Sequence, residues 1–251
     1  MTSLVSSAAQ RHDIDPLELY ASAIDTSDYV AALAPLIRRV VPEVGRLLDV
    51  GAGGGQLGAA LADPALPWTA IEPSPTMRAR LSRLSPPPFV IASGWERADV
   101  SAHDHDTVLA ATMPALFDHP EAFLARCLGW ARRSVVWVVP AHAGPRGLCF
   151  AGCLPSEWHR EDETPGIDIV MAGLAPSSRP HHAAFADWTF SGVVKDLDRL
   201  SAYLADRLGW PGRDPRRAEL RRHLANQARP DADGVRLDIA RKSAVLFWGN
   251  R

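Results

Sequence analysis

The chain has 251 residues, 47% hydrophobic and 22% charged, an average soluble composition that excludes disorder and fibrous folds. Its 27 basic and 29 acidic residues give a formal charge of −2, so no general attraction to a phosphate backbone is expected. Three cysteines, Cys127, Cys149 and Cys153, are too few for a disulfide scaffold and suit a reducing cytosol. The start lacks a cationic segment leading into an apolar one, and the longest apolar windows have only strand length. Neither a signal peptide nor a membrane helix is therefore expected, and a cytoplasmic location follows.

In chain order, residues 16–41 read as helix. Ser27 or Asp28 can cap a segment whose Val30, Leu33, Leu36, Ile37 and Val40 share one face, and Pro42 stops it. Short apolar runs at 46–50, 68–71, 89–92, 107–110 and 134–139 read as buried strands. Helical spacing lies between them, at 56–62, from about 74 to 84 behind a Ser74 or Thr76 cap, and at 120–132. Strands alternating with helices in this way mean a parallel sheet covered on both faces. From 141 to about 182 the chain is rich in Gly, Pro, Ser and His, too long for an ordinary loop, and reads as an inserted cap. A strand at 184–190 follows. Then comes a helix capped by Ser191, with Val194, Leu197, Leu200, Leu204 and Leu208 on one face. An arginine-rich helix at about 214–227 and a terminal strand or hairpin at 235–248 complete the chain. The expectation is one domain over 1–251, with an N-terminal helical segment at 1–45 and an insertion at 141–190.

The strongest chemical signal is Asp49-Val50-Gly51-Ala52-Gly53-Gly54-Gly55: a buried strand delivers an acid, then a glycine turn, then a helix. Glycines let the backbone approach a ligand closely, and the helix start offers unpaired N–H groups. Asp49 beside them could accept from an ammonium group. Two enzyme classes use such an element. Dinucleotide-binding folds need G-x-G-x-x-G, which Gly53 to Gly58 satisfies; methyltransferases need acid-x-G-x-G-x-G, which Asp49 to Gly55 satisfies. Glu72, at the tip of the second strand, could accept from both hydroxyls of a ribose in either class. Short-chain dehydrogenases need a Tyr four residues before a Lys. The chain has only Tyr20, Tyr29 and Tyr203; Arg207 follows the last, and the others precede the glycine motif.

With these residues in place, the chain resembles the class I, seven-strand S-adenosylmethionine-dependent methyltransferase family. The family's glycine motif looks like 49–55, and its ribose-binding acid looks like Glu72, with Pro73 and Met77 beside it. Its adenine-proximal segment looks like Ser93, Gly94 and Trp95, and its post-strand-4 segment like 106–113, which includes Ala111. The family often places an aromatic from the first helix near the methionine moiety, which makes Tyr29 a further contact. The resemblance covers 25–140 clearly and the terminal strands loosely. It implies a doubly wound, mostly parallel, seven-stranded Rossmann-like sheet whose antiparallel last strand inserts beside the fifth. It also implies S-adenosylmethionine as cofactor, held by Asp49, Gly51, Gly53, Gly55, Glu72 and the segments just named. Methyl transfer from a sulfonium needs alignment and exclusion of water, and no metal.

The acceptor is less legible. The Asn/Asp-Pro-Pro-aromatic run of base- and glutamine-methylating enzymes is replaced by Ala111-Thr112-Met113-Pro114. His103 and His105 sit in a polar turn, where solvated loop residues are expected ahead of a metal pair. His142, His159 and His181 lie in or beside the insertion and are the candidates for a general base. Cys149 and Cys153 read as buried small hydrophobes. Arg213, Arg216, Arg217, Arg221 and Arg222, interspersed with Asp214 and Glu219, read as a solvated helix face. A small-molecule acceptor held by the 141–190 insertion is the leading expectation, with nucleic acid unlikely as partner. Methylation of RNA or protein, or cofactor binding without catalysis, are the alternatives.

Overall fold

The computed structural model describes residues 14–113, 118–147 and 149–249. The first ten residues and Pro114, both used in the sequence reading, lie outside this set. The helices α1 (Pro16–Thr26) and α2 (Tyr29–Val40) lead into an alternating series. It runs β1 (Leu47–Val50), α3 (Gln56–Leu61), β2 (Thr69–Ile71), α4 (Pro75–Leu81), β3 (Phe89–Ile91), β4 (His105–Ala111), α5 (Pro120–Trp130) and β5 (Ala131–Pro140). After β5 come α6 (Ser156–His159), α7 (Gly166–Gly173) and β6 (His182–Val194). The chain closes with α8 (Leu197–Arg207), α9 (Arg216–Gln227), β7 (Arg229–Asp231) and β8 (Gly234–Gly249).

One sheet results, ordered β3-β2-β1-β4-β5-β8-β6, with β7 paired to β8 off this path. β1 to β5 pair in parallel, and β8 runs antiparallel between β5 and β6. The expected insertion of an antiparallel last strand beside the fifth is therefore present, and β7 brings the described strands to eight. Alternate residues of each central strand serve opposite cores. Leu47, Leu109, Val136 and Val138 join one hydrophobic cluster, whereas Leu48, Val50, Val108, Val135 and Trp137 join the other. That is why these strands read as continuous apolar runs. The first cluster is covered by α2, α8 and α9 through Leu33, Ile37, Leu204 and Leu220; the second by α5 and α7 through Phe123, Cys127 and Val170. Strand order reverses between β1 and β4, so a crevice opens at the carboxyl ends of these strands.

Three local readings are corrected. The helix expected over 16–41 breaks after Thr26, because Ser27 is extended and its hydroxyl accepts from the Tyr29 amide at 3.3 Å. Asp28 turns away to accept from the Thr189 amide at 2.6 Å. Helix α5 stops at Trp130, not 132, since Ala131 already pairs with His105. Ser191 caps nothing: it lies inside β6, opposite Asp238, and its hydroxyl donates to that carboxylate at 2.7 Å. Val194 likewise belongs to the strand, and Asp196 caps α8 by accepting from Arg199 N at 2.9 Å. The terminal strand expected at 235–248 is β8, which forms a hairpin with β7 and a long antiparallel ribbon with β6.

Candidate functional site

The glycine turn leaves β1 at Val50 and enters α3 at Gln56, with Gly51, Gly53 and Gly55 all at positive φ. Gly53 shows the purpose most clearly. Its φ is +56° and the space a Cβ would fill is open, so nothing shields its backbone from a ligand. Its amide donates to Glu72 Oε2 at 2.8 Å, while Ser74 N donates to Oε1 at 2.7 Å. Glu72, buried at the tip of β2, thus ties the two strand ends together. Each oxygen keeps a further lone pair for another donor.

Asp49 sits behind the turn, 3% exposed. A Cβ on Gly58 would overlap its carboxylate, so that glycine exists to admit the acid. The last glycine of the dinucleotide-type pattern therefore has a packing role here. Burial first, and the Glu72 charge second, push the Asp49 carboxyl from its ordinary 3.8 up to about 7. Among the described residues Asp49 has no ion-pair partner. A cation delivered to it would relieve both effects.

The turn opens on a cavity of about 430 Å³. Of the expected cofactor contacts, Asp49, Gly51, Gly53, Glu72, Pro73 and Met77 line it, as do Ala111 and Tyr29. Gly55 packs behind the turn against Leu81 and Leu84. Ser93, Gly94 and Trp95 are not in the cavity wall. Trp95 instead packs edge-on against Phe123, centroids 5.2 Å apart, in a ladder that continues to Trp137. Tyr29, aimed inward by the break before α2, hydrogen-bonds Thr112 through its hydroxyl at 2.9 Å and meets Trp188 edge-on at 4.8 Å.

One wall is α1, through Pro16, Leu17, Tyr20, Ala21 and Ile24. Polar contacts hold it over the turn: Arg80 to Glu18 at 2.6 Å, Thr76 to Asp15 at 2.7 Å and Gln56 to Asp25 at 2.7 Å. The far wall is aromatic. Tyr20 stacks on Phe190 at 5.8 Å, and Phe150 and Trp188 flank Phe190 at 5.4 and 6.3 Å. Pro145, Arg146, Gly147, Cys149 and Phe150 contribute from the segment after β5.

Among the candidate bases only His142 reaches the cavity. Its Nε2 accepts from Arg241 Nη1 at 2.7 Å, and its Nδ1 lies 3.0 Å from Lys242 O and 3.2 Å from Lys242 N. Burial and the Arg241 charge hold its pKa below the ordinary value, against the Lys242 carbonyl. Its basic lone pair is thus already in use. His159 pairs with Glu163 at 3.3 Å, and His181 accepts from Gly249 N at 3.2 Å, both outside this cavity. A larger cavity of about 560 Å³, lined by Trp158, His159, Glu161 and Trp210, shares Gly147 and Arg207 with the first. It touches neither the glycine turn nor a strand end.

His103 and His105 bond internally. His103 Nδ1 meets Ala131 O at 2.7 Å and His105 Nε2 meets Thr69 Oγ1 at 3.0 Å. Burial pushes the Cys149 and Cys153 thiols up to about 12. Sequence reasoning missed Tyr20, Phe150, Phe190 and Arg241. Arg241 left a readable signal: it shares the period-two inward face of β8 with Leu237, Ile239 and Val245.

No protein-family profile matches the sequence, and no curated protein sequence is significantly similar to it. Solved structures do match. A candidate methyltransferase from Bacillus halodurans C-125 aligns with TM-score 0.52 at 11% identity, covering 86% of this chain and 97% of its own. A candidate type II methyltransferase from Anaeromyxobacter dehalogenans aligns with TM-score 0.54 at 19% identity, covering 86% and 94%. The fold is that of class I methyltransferases. At these identities the likeness speaks for the fold, and the site must carry the function.

Proposed function

We propose that this chain is an S-adenosylmethionine-dependent methyltransferase acting on a small molecule. One observation carries the reading. A buried acid, an open glycine turn and a second buried acid meet at the strand-order switch, directly beside an aromatic cavity. The residues suit the cofactor: Asp49 lacks a cation, Gly53 leaves room at its backbone, and Glu72 has acceptor capacity to spare. When bound, the cofactor supplies a methyl group on a sulfonium.

The chain's own residues then have distinct tasks. Asp49 accepts from the ammonium group and Glu72 from the ribose hydroxyls, with Gly51, Gly53, Pro73, Met77 and Ala111 in contact around them. Gly55 serves indirectly, through the turn. Ser93, Gly94 and Trp95 keep at most an indirect place, behind the wall. Tyr29 and Thr112 border the cofactor end of the cavity. The α1 helix and the 141–190 segment exclude water and align the acceptor, which is where most of the rate arises. Since His142 has no free lone pair, an acceptor that is nucleophilic without a protein base fits the site.

A macromolecular acceptor is less well supported. Arg216, Arg217 and Arg221 of the α9 region are held by Asp214, Asp206 and Asp198 at 2.6, 2.6 and 2.5 Å, so this basic face is locally neutralised. No helix of the described residues is long and apolar enough to cross a membrane. Isothermal titration with S-adenosylhomocysteine tests the cofactor reading. Saturable one-to-one binding is expected; the absence of saturable heat at millimolar ligand overturns it.

A further inference from the structure

Three arginines line the cavity: Arg146 is paired with Asp162, Arg207 is exposed, and Arg241 is the partly buried one that cofactor binding does not use. It projects from the middle of β8 on the inward face, directly across from Trp188 of β6. Its guanidinium donates to His142 Nε2 at 2.7 Å and, among the described residues, makes no ion pair. His142 accepts as a neutral imidazole, so it fixes the position of the charge without balancing it. Glu161 is the carboxylate that feels Arg241 most, but its Oε2 is engaged by the Arg146 and Gly147 amides at 3.0 and 2.6 Å. Burial of the guanidinium disfavours its charge, as a half-buried cation without a counter-ion must experience. The other groups facing it are the phenol of Tyr20 and the thiols of Cys149 and Cys153, all neutral at pH 7.

The cavity is therefore polarised along its length. Asp49 lines the glycine-turn end, Tyr29 meets Trp188 at 4.8 Å, and Trp188 lies directly across from Arg241. Acid stands at the glycine-turn end and a cation without an ion-pair contact among the described residues at the other, with Tyr20, Tyr29, Phe150, Trp188 and Phe190 also in the wall. The Tyr20 hydroxyl makes no hydrogen bond among the described residues and lines the cavity near the cation.

From this geometry we infer that the acceptor is a flat, largely apolar molecule carrying a carboxylate, anchored on Arg241. The guanidinium fork receives the carboxylate, Tyr20 adds a neutral donor, and the aromatic walls sandwich the body. His142 acts as a positioning residue for the fork. The opposite end of the acceptor then faces the glycine turn. This inference rests on the cofactor reading for its catalytic meaning, but the anion site itself does not depend on it.

The test is titration calorimetry with three acid–amide pairs: 4-hydroxybenzoate and 4-hydroxybenzamide, 4-hydroxycinnamate and its amide, and indole-3-acetate and its amide. Each is measured with and without saturating S-adenosylhomocysteine. At least one acid is expected to bind about tenfold or more tighter than its amide, the size of one charge-assisted hydrogen bond. Arg241→Met and Arg241→Gln should each erase that preference while S-adenosylhomocysteine affinity stays at the wild-type value, which also shows that the variants fold. Arg241→Lys should restore part of it. The inference is overturned if no acid binds saturably, if the amides bind equally well, or if the preference survives in Arg241→Met. If S-adenosylhomocysteine fails to bind while the Arg241-dependent preference holds, the cofactor reading falls and the carboxylate site stands.

Discussion

Replacing Glu72 by alanine will weaken S-adenosylhomocysteine binding by at least about 100-fold, as expected when two hydrogen bonds to a buried carboxylate, each worth about 1.5–3 kcal/mol, are lost. The alanine removes more than ribose contacts. Glu72 also holds Gly53 N at 2.8 Å and Ser74 N at 2.7 Å, so the turn loses the brace that fixes its shape. Glu72→Gln separates these effects: its amide keeps one acceptor oxygen and the side-chain volume. Its loss should be about tenfold, one charge-assisted bond's worth. Calorimetric affinities that are unchanged in Glu72→Ala would show that the carboxylate is only a structural tie.

The second large effect is on stability, and it has the opposite sign. Asp49→Asn will stabilise the ligand-free chain at pH 7.5. The Asp49 carboxyl, ordinary at 3.8 in the unfolded chain and about 7 when folded, binds its proton more tightly in the native state. Native structure is therefore most favoured with the acid protonated, and stability declines as pH rises from about 4 to about 7. The span from 3.8 to about 7 corresponds to roughly 4 kcal/mol at most. Asparagine mimics the protonated acid and escapes the decline. Denaturant midpoints measured from pH 4 to 8 should show the variant pulling ahead of wild type across this window and holding a constant lead above it. Parallel curves would show that Asp49 is not destabilised by its burial. Binding should move the other way, since asparagine offers no charge to an ammonium group. The protein thus keeps an acid that costs stability because the site uses it.

Much of this arrangement is legible in the sequence because it is local. The apolar run before Asp49, the glycines and the acid one helix later are set by backbone constraints within 49–72, so pattern alone finds them. The acceptor side is not local. Its floor is the β6–β8 ribbon, in which Trp188 meets Arg241 and Phe190 meets Ile239 across more than a turn of chain connection. No short-range rule gives that register, and so Ser191 reads as a cap when it is a strand residue. Tyr20 shows the same limit: on α1 it looks like a surface aromatic until α1 is laid over the turn. Trp95 shows the reverse case. A strand-end aromatic invites a stacking role, yet Phe123 and Trp137 offer it a better-buried neighbour. Arg241 was recoverable, since a lone cation on the inward face of an alternating strand is rarely structural.

The central claim is that the glycine turn, and not the larger neighbouring cavity, holds the cofactor. A crystal structure of the chain with S-adenosylhomocysteine tests this most directly. The account predicts the ribose hydroxyls within hydrogen-bonding distance of Glu72 and the amino group against Asp49, with the sulfur facing the aromatic cavity. Density for the ligand between Trp158 and Trp210, with Asp49 and Glu72 left untouched, would contradict it.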